Sequence, residues 1–146
     1  MDWIEIKNNS LLSLGENYLV ITLGIDEDIL LEENDNGFVK SEKNINFKMF
    51  SGNIKQCNLT FSPNKTPIII GRSKDCDVII EDKMLSRFHC SIEFRKDKWF
   101  VTDGYLENNN IKKSTNGTWI YASEDTLISN GMIFKANNSL FICSFE

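Results

Sequence analysis

The sequence predicts an all-β fold, an antiparallel β-sandwich. Short apolar runs recur along the C-terminal two thirds of the chain with turn residues between them, and Cys90, Ile92 and Phe94 alternate strictly with Ser91, Glu93 and Arg95. No run reaches the length of a well-marked helix. Strands of this kind bury one face each, and packing two sheets of them face to face is the stable solution.

Near the start, Trp3-Ile4-Glu5-Ile6 and Tyr18-Leu19-Val20-Ile21 read as strands, and Ile29-Leu30-Leu31 as a third strand or a helical turn. Glu32 to Asn36 reads as an acidic loop. Leu59 and Phe61 alternate with polar neighbours, and Pro67 opens Ile68-Ile69-Ile70 where a missing N–H is tolerated. Val78-Ile79-Ile80 is a continuous run of core-strand type. After the 90–95 strand, Lys96-Asp97 turns the chain into Trp99-Phe100-Val101. Trp119-Ile120-Tyr121, Met132-Ile133-Phe134 and Leu140-Phe141-Ile142-Cys143 supply three more strands.

A length of 146 residues is that of one domain. A chain of that size buries roughly 68–70% of its unfolded surface and holds a core without covalent staples. The net charge of −5 argues against a general nucleic-acid binder, and it is unevenly spread. Residues 1–46 hold ten acidic and three basic side chains, whereas 47–146 hold eleven and thirteen. We read 1–46 as an acidic N-terminal extension with partly ordered strands, joined to a mildly basic sandwich domain over 47–146.

The four cysteines show no Cys-x-x-Cys pairing and there is one histidine, so neither a zinc site nor any other metal or cofactor is expected. Cys57, Cys90 and Cys143 lie among apolar strand residues and read as reduced, buried thiols. The N-terminus has no basic start before an apolar run, and the longest strongly apolar stretches fall far below the roughly 20 residues a membrane span needs. The expected setting is intracellular, cytoplasmic or nuclear, with no membrane partner. The chain stops just after the last expected strand, as one domain of a longer protein would.

Of sixteen basic residues only three are Arg, and two of them fall in short motifs: Gly71-Arg72-Ser73 and Ser86-Arg87-Phe88-His89. The guanidinium fork suits bidentate contact with phosphate. Ser86 offers a hydroxyl, and N–H groups around Arg87 can form a small anion-binding concavity. Downstream lies Ser114-Thr115-Asn116-Gly117-Thr118, whose Asn-Gly pair is also a common hairpin turn signal. His89 has no nucleophile or orienting partner nominated by the sequence, and no phosphate loop, nucleophile elbow or paired-carboxylate motif is present. No catalytic residue is therefore expected.

In this order and spacing, the three strings resemble the forkhead-associated family, over roughly Phe47 to Phe145. The resemblance implies a β-sandwich that binds threonine-phosphorylated proteins through loops at one end and performs no chemistry. It implies that Arg72, Ser86, Arg87 and Thr115 bind phosphate, and that Asn116 grips the peptide backbone beside the phosphothreonine. His89 would hold its loop through buried hydrogen bonds, with Gly71 and Gly117 supporting the site. Lys83 and Met84 would face the residue three positions after the phosphothreonine, Lys83 favouring an acidic residue there and Met84 an aliphatic one. The alternative is a degenerate member that assembles by phosphate-independent protein contact. The family usually has two or three residues between Asp103 and Ser114, and here there are ten. That insertion lies in the loop expected to present Thr115. The acidic stretch Asp26 to Glu33 is expected to compete weakly for the basic loops.

Overall fold

The computed structural model describes residues 3–24, 43–51, 56–122, 125–137 and 139–146. The expectations for Ile29-Leu30-Leu31, for Glu32 to Asn36 and for the competing stretch Asp26 to Glu33 fall outside them. Among the described residues the strands are β1 (Ile4–Glu5), β2 (Ser10–Leu14), β3 (Asn17–Leu23), β4 (Ile45–Phe50), β5 (Gln56–Phe61), β6 (Ile68–Gly71) and β7 (Val78–Ile79). They continue with β8 (Cys90–Arg95), β9 (Lys98–Asp103), β10 (Tyr105–Glu107), β11 (Asn110–Lys112), β12 (Trp119–Ile120), β13 (Ile133–Ala136) and β14 (Ser139–Ile142). The only helical element among these residues is a 3₁₀ turn at Pro63–Lys65.

Two five-stranded sheets form the body, in the orders β1-β9-β8-β6-β7 and β12-β2-β3-β4-β5. Neighbours run antiparallel except β6 and β7, which are parallel. Period two decides what each strand buries. Ile68, Ile70 and Ile92 point inward from the first sheet, and Leu12, Leu14, Leu19, Ile21 and Ile45 from the second, all with no exposed surface. Burying one such side chain contributes about 1.5–3 kcal/mol. Phe47, Trp99 and Val101 belong to the same cluster. The β8–β9 turn uses Lys96 and Asp97 at φ of 50° and 64°, the left-handed pair that suits a two-residue hairpin.

The division expected at residue 46 falls inside β4, whose Ile45 pairs with both Leu23 and Phe61. Residues ahead of it are not an appendage: β2 and β3 lie in the middle of the second sheet, and β1 edges the first. The physical reason is the inward set Leu12, Leu14, Leu19 and Ile21, which only a facing sheet can cover.

The insertion between Asp103 and Ser114 forms the β10–β11 hairpin, turning at Asn108 and Asn109 with φ of 51° and 66°. At the C-terminus, among the described residues, β13 and β14 pair only with each other, and every residue of both strands is exposed. Phe134 and Phe141 stack there with centroids 4.9 Å apart. Of the thiols expected to be buried, Cys90 is in the core, while Cys57 is only half-buried because β5 edges its sheet, and Cys143, just past β14, is half-buried beside an exposed hairpin.

Candidate functional site

The first loop is set by β6. Beyond its last residue the backbone keeps a ladder with the segment leading into β8: Arg72 N–H donates to the Ser86 carbonyl (3.2 Å) and Ser73 N–H to the Arg87 carbonyl (3.0 Å). His89 N–H donates to the Ile70 carbonyl (2.8 Å). Gly71 makes this approach possible, since a Cβ there would lie 2.2 Å from the Arg87 carbonyl oxygen.

His89 ties this loop to the next. It is fully buried, and its Nδ1 accepts from the Ser86 N–H at 3.1 Å. The proton therefore sits on Nε2, which donates to the Gly117 carbonyl at 2.9 Å. Gly117 adopts φ of 80°, a conformation that suits glycine.

The loop carrying Thr115 is organised by Asp103, at the end of β9. Its carboxylate accepts from the Ser114 N–H (3.0 Å), the Ser114 hydroxyl (2.5 Å) and the Thr118 hydroxyl (2.8 Å). The Ser114 hydroxyl oxygen in turn accepts from the Gly117 N–H at 2.9 Å. Asp82 does the same for the preceding turn. It accepts from the Met84 N–H (2.9 Å), the Asn17 amide (2.8 Å) and the Glu16 N–H (3.2 Å).

With the loops held, the expected site residues converge. The Thr115 N–H donates to the Ser86 hydroxyl oxygen at 3.0 Å, and the two hydroxyls are 3.4 Å apart. The Asn116 amide donates to the Met84 carbonyl at 2.6 Å, which leaves its own carbonyl oxygen as an acceptor. Arg72 Nε donates to the Leu85 carbonyl at 3.0 Å. Arg72, Arg87, Lys83, Met84, Thr115 and Asn116 are all exposed, and the bonds above bring Arg72, Ser86, Thr115, Met84 and Asn116 together at one solvent-facing rim. Among the described residues neither Arg72 nor Arg87 forms a salt bridge. The nearby carboxylates of Asp82 and Asp103 are turned into the loops. This geometry presents fixed positive charge and short donors to an anion. No group of acidic, histidine or cysteine ligands that could hold a metal occurs among the described residues.

Beneath the rim, burial pushes the Cys90 thiol well above its ordinary range, with the Asp103 charge adding to the effect. Burial also raises Cys76, whose Sγ lies 3.1 Å from the Arg87 carbonyl. Both are neutral packing groups. Reading the sequence missed Asp103, Ser114 and Asp82 as site supports. The signal was present: an aspartate closing a strand opposite a Ser/Thr-rich turn is a natural acceptor for that turn's donors.

Residues 68–136 match the family model of the FHA domain. Over that stretch the chain has the pattern of an FHA domain. FHA domains are phosphopeptide-binding modules and not catalysts. The chain is also similar to the serine/threonine-protein kinase RAD53 of Saccharomyces cerevisiae (strain ATCC 204508 / S288c), 33% identical over 116 residues. The match covers 61% of this chain but only 14% of the kinase. No solved structure matches the chain. The loops described above, from Gly71 to Thr118, lie wholly within the matched FHA segment. No helix among the described residues is long and apolar enough to cross a membrane.

Proposed function

We propose that this FHA domain binds phosphothreonine-containing segments of a partner protein. Arg72, Ser86, Arg87 and Thr115 bind the phosphate, Asn116 holds the peptide backbone, and Lys83 and Met84 read a following residue. The observation that carries this reading is the meeting of Ser86 and Thr115, 3.4 Å apart at their hydroxyls, beside an arginine already fixed through its Nε. A dianionic phosphate suits that arrangement, because charge-assisted bonds to guanidinium and hydroxyl donors are the strong ones. His89, Gly71 and Gly117 act as supports. The folded unit includes the strands ahead of residue 47.

The chain spans a small part of the kinase it resembles, so the reading concerns this domain alone. Titration of one threonine peptide, phosphorylated and unmodified, tests it. Binding of the phosphorylated form alone is expected. Equal binding of both forms would favour phosphate-independent assembly instead.

A further inference from the structure

The insertion hairpin does more than lengthen a loop. It builds one wall of a second feature, a mostly apolar groove of about 300 Å³ against the outer face of the β1-β9-β8-β6-β7 sheet. Phe88, Tyr105, Leu106, Ile111, Ile69 and Trp3 line it. Ser91 and Thr102 alternate with core residues and so point away from the core, yet both are buried. The hairpin base is held tightly: the Gly104 carbonyl accepts from the Ser91 hydroxyl at 2.7 Å, and a Cβ on Gly104 would lie 2.1 Å from the Lys112 carbonyl oxygen. Tyr105 packs on Phe88 with ring centroids 4.8 Å apart.

We infer that the groove takes an apolar segment of the phosphorylated partner, residues flanking its phosphothreonine. The inference rests on the phosphopeptide reading above. Continuity selects this occupant. Phe88 stands between Arg87 and His89, one Cα step of about 3.8 Å from the proposed phosphate rim. Tyr105 and Ile111 belong to the segment joining Asp103 to Ser114. Each loop that shapes the downstream half of the phosphate site thus also contributes to the groove, and a chain held at the rim has an apolar channel beside it. Leu106 is 51% exposed and Ile111 half-buried, apolar surface that such a segment would cover.

The test uses peptide pools with a central phosphothreonine and randomised flanks, presented to the full chain. Enrichment of aliphatic or aromatic residues on one flank is expected, with at least about tenfold tighter binding than a serine-flanked phosphopeptide, the gain that covering one large apolar side chain supplies. Leu106→Asp, at an exposed position, should abolish that gain while leaving the serine-flanked affinity as it was. Flat flank preferences, or a gain that survives Leu106→Asp, would overturn the inference alone. Apolar peptides that bind equally without phosphate would show an occupant not tethered to the phosphate site and would overturn it too. Failure of every phosphopeptide to bind would remove the phosphate reading, and this inference with it.

Discussion

The Nε of Arg72 donates to the carbonyl of Leu85 at 3.0 Å, so the guanidinium is anchored by one edge and presents its remaining donors outward. A hydrogen bond to a charged group contributes roughly 1.5–3 kcal/mol. If Arg72 makes the bidentate contact proposed, Arg72→Ala should weaken phosphopeptide binding at least about 30-fold, since each 1.4 kcal/mol is about tenfold. Arg72→Lys should recover only part, because the fork is lost while the charge remains. Ser86→Ala should cost about tenfold. Calorimetric titration checks all three, and the exposed Arg72 should leave the melting temperature nearly unmoved.

Affinity should fall between pH 7.5 and 5.5. The second pKa of phosphothreonine is about 6, so the dianion that draws two or more charge-assisted bonds gives way to the monoanion as pH drops. A phosphopeptide titration across that range at constant ionic strength reads the change. An unmodified peptide should show no such dependence.

His89→Ala should lower stability and binding together. The ring is fully buried with both nitrogens bonded, so truncation leaves a cavity and strips partners from Ser86 N–H and the Gly117 carbonyl. Losses of this kind run to about 2–4 kcal/mol, a fall of roughly 5–15 °C in a domain this size. Thermal denaturation followed by circular dichroism measures it.

Asp103→Asn should weaken phosphopeptide binding by about tenfold while leaving most of the core intact. The amide keeps one acceptor oxygen but places donors against N–H and hydroxyl groups that are themselves donors. Loss of hydrogen-exchange protection at Gly117, whose N–H is held through Ser114, should accompany the weaker binding.

A chain beginning at Asn44 should not fold. It would lack β1, β2 and β3, and with them Leu12, Leu14, Leu19 and Ile21. Truncating a single buried leucine or isoleucine to alanine costs about 2–5 kcal/mol, against a total stability of about 5–15 kcal/mol for most domains. The dispersion of its amide resonances decides the point.

The same residues explain what the sequence allowed to be read. From β5 onward, β10 and β11 apart, the strands stand out because β-branched and aromatic residues are bounded by turn residues, as in Ile68–Gly71 and Cys90–Arg95. β2 was missed because Ser-Leu-Leu-Ser-Leu has no β-branched residue and leucine also favours helices, so only its pairing with β3 and β12 makes it a strand. β4 alternates Ile45, Phe47 and Met49 with Asn46 and Lys48, a signal that was there to be read. The motifs nominate Arg72, Ser86 and Thr115 as candidate site residues, but no spacing rule says that Asp103 turns its carboxylate toward Ser114. That contact depends on β9 ending opposite the loop. The hairpin at Tyr105–Lys112 was visible as an insertion, whereas its groove exists only once the hairpin lies over the sheet.

The bonds among Ser86, Thr115, Met84, Asn116, His89 and Gly117 have a kinetic consequence. If the proposed rim takes the phosphopeptide, loops bonded to one another should need little ordering, so encounter with that cationic rim should govern the association rate and leave it insensitive to most substitutions in the peptide. Discrimination among partners then resides in how long each stays bound. Two phosphorylated segments that arrive equally fast are told apart by their residence times.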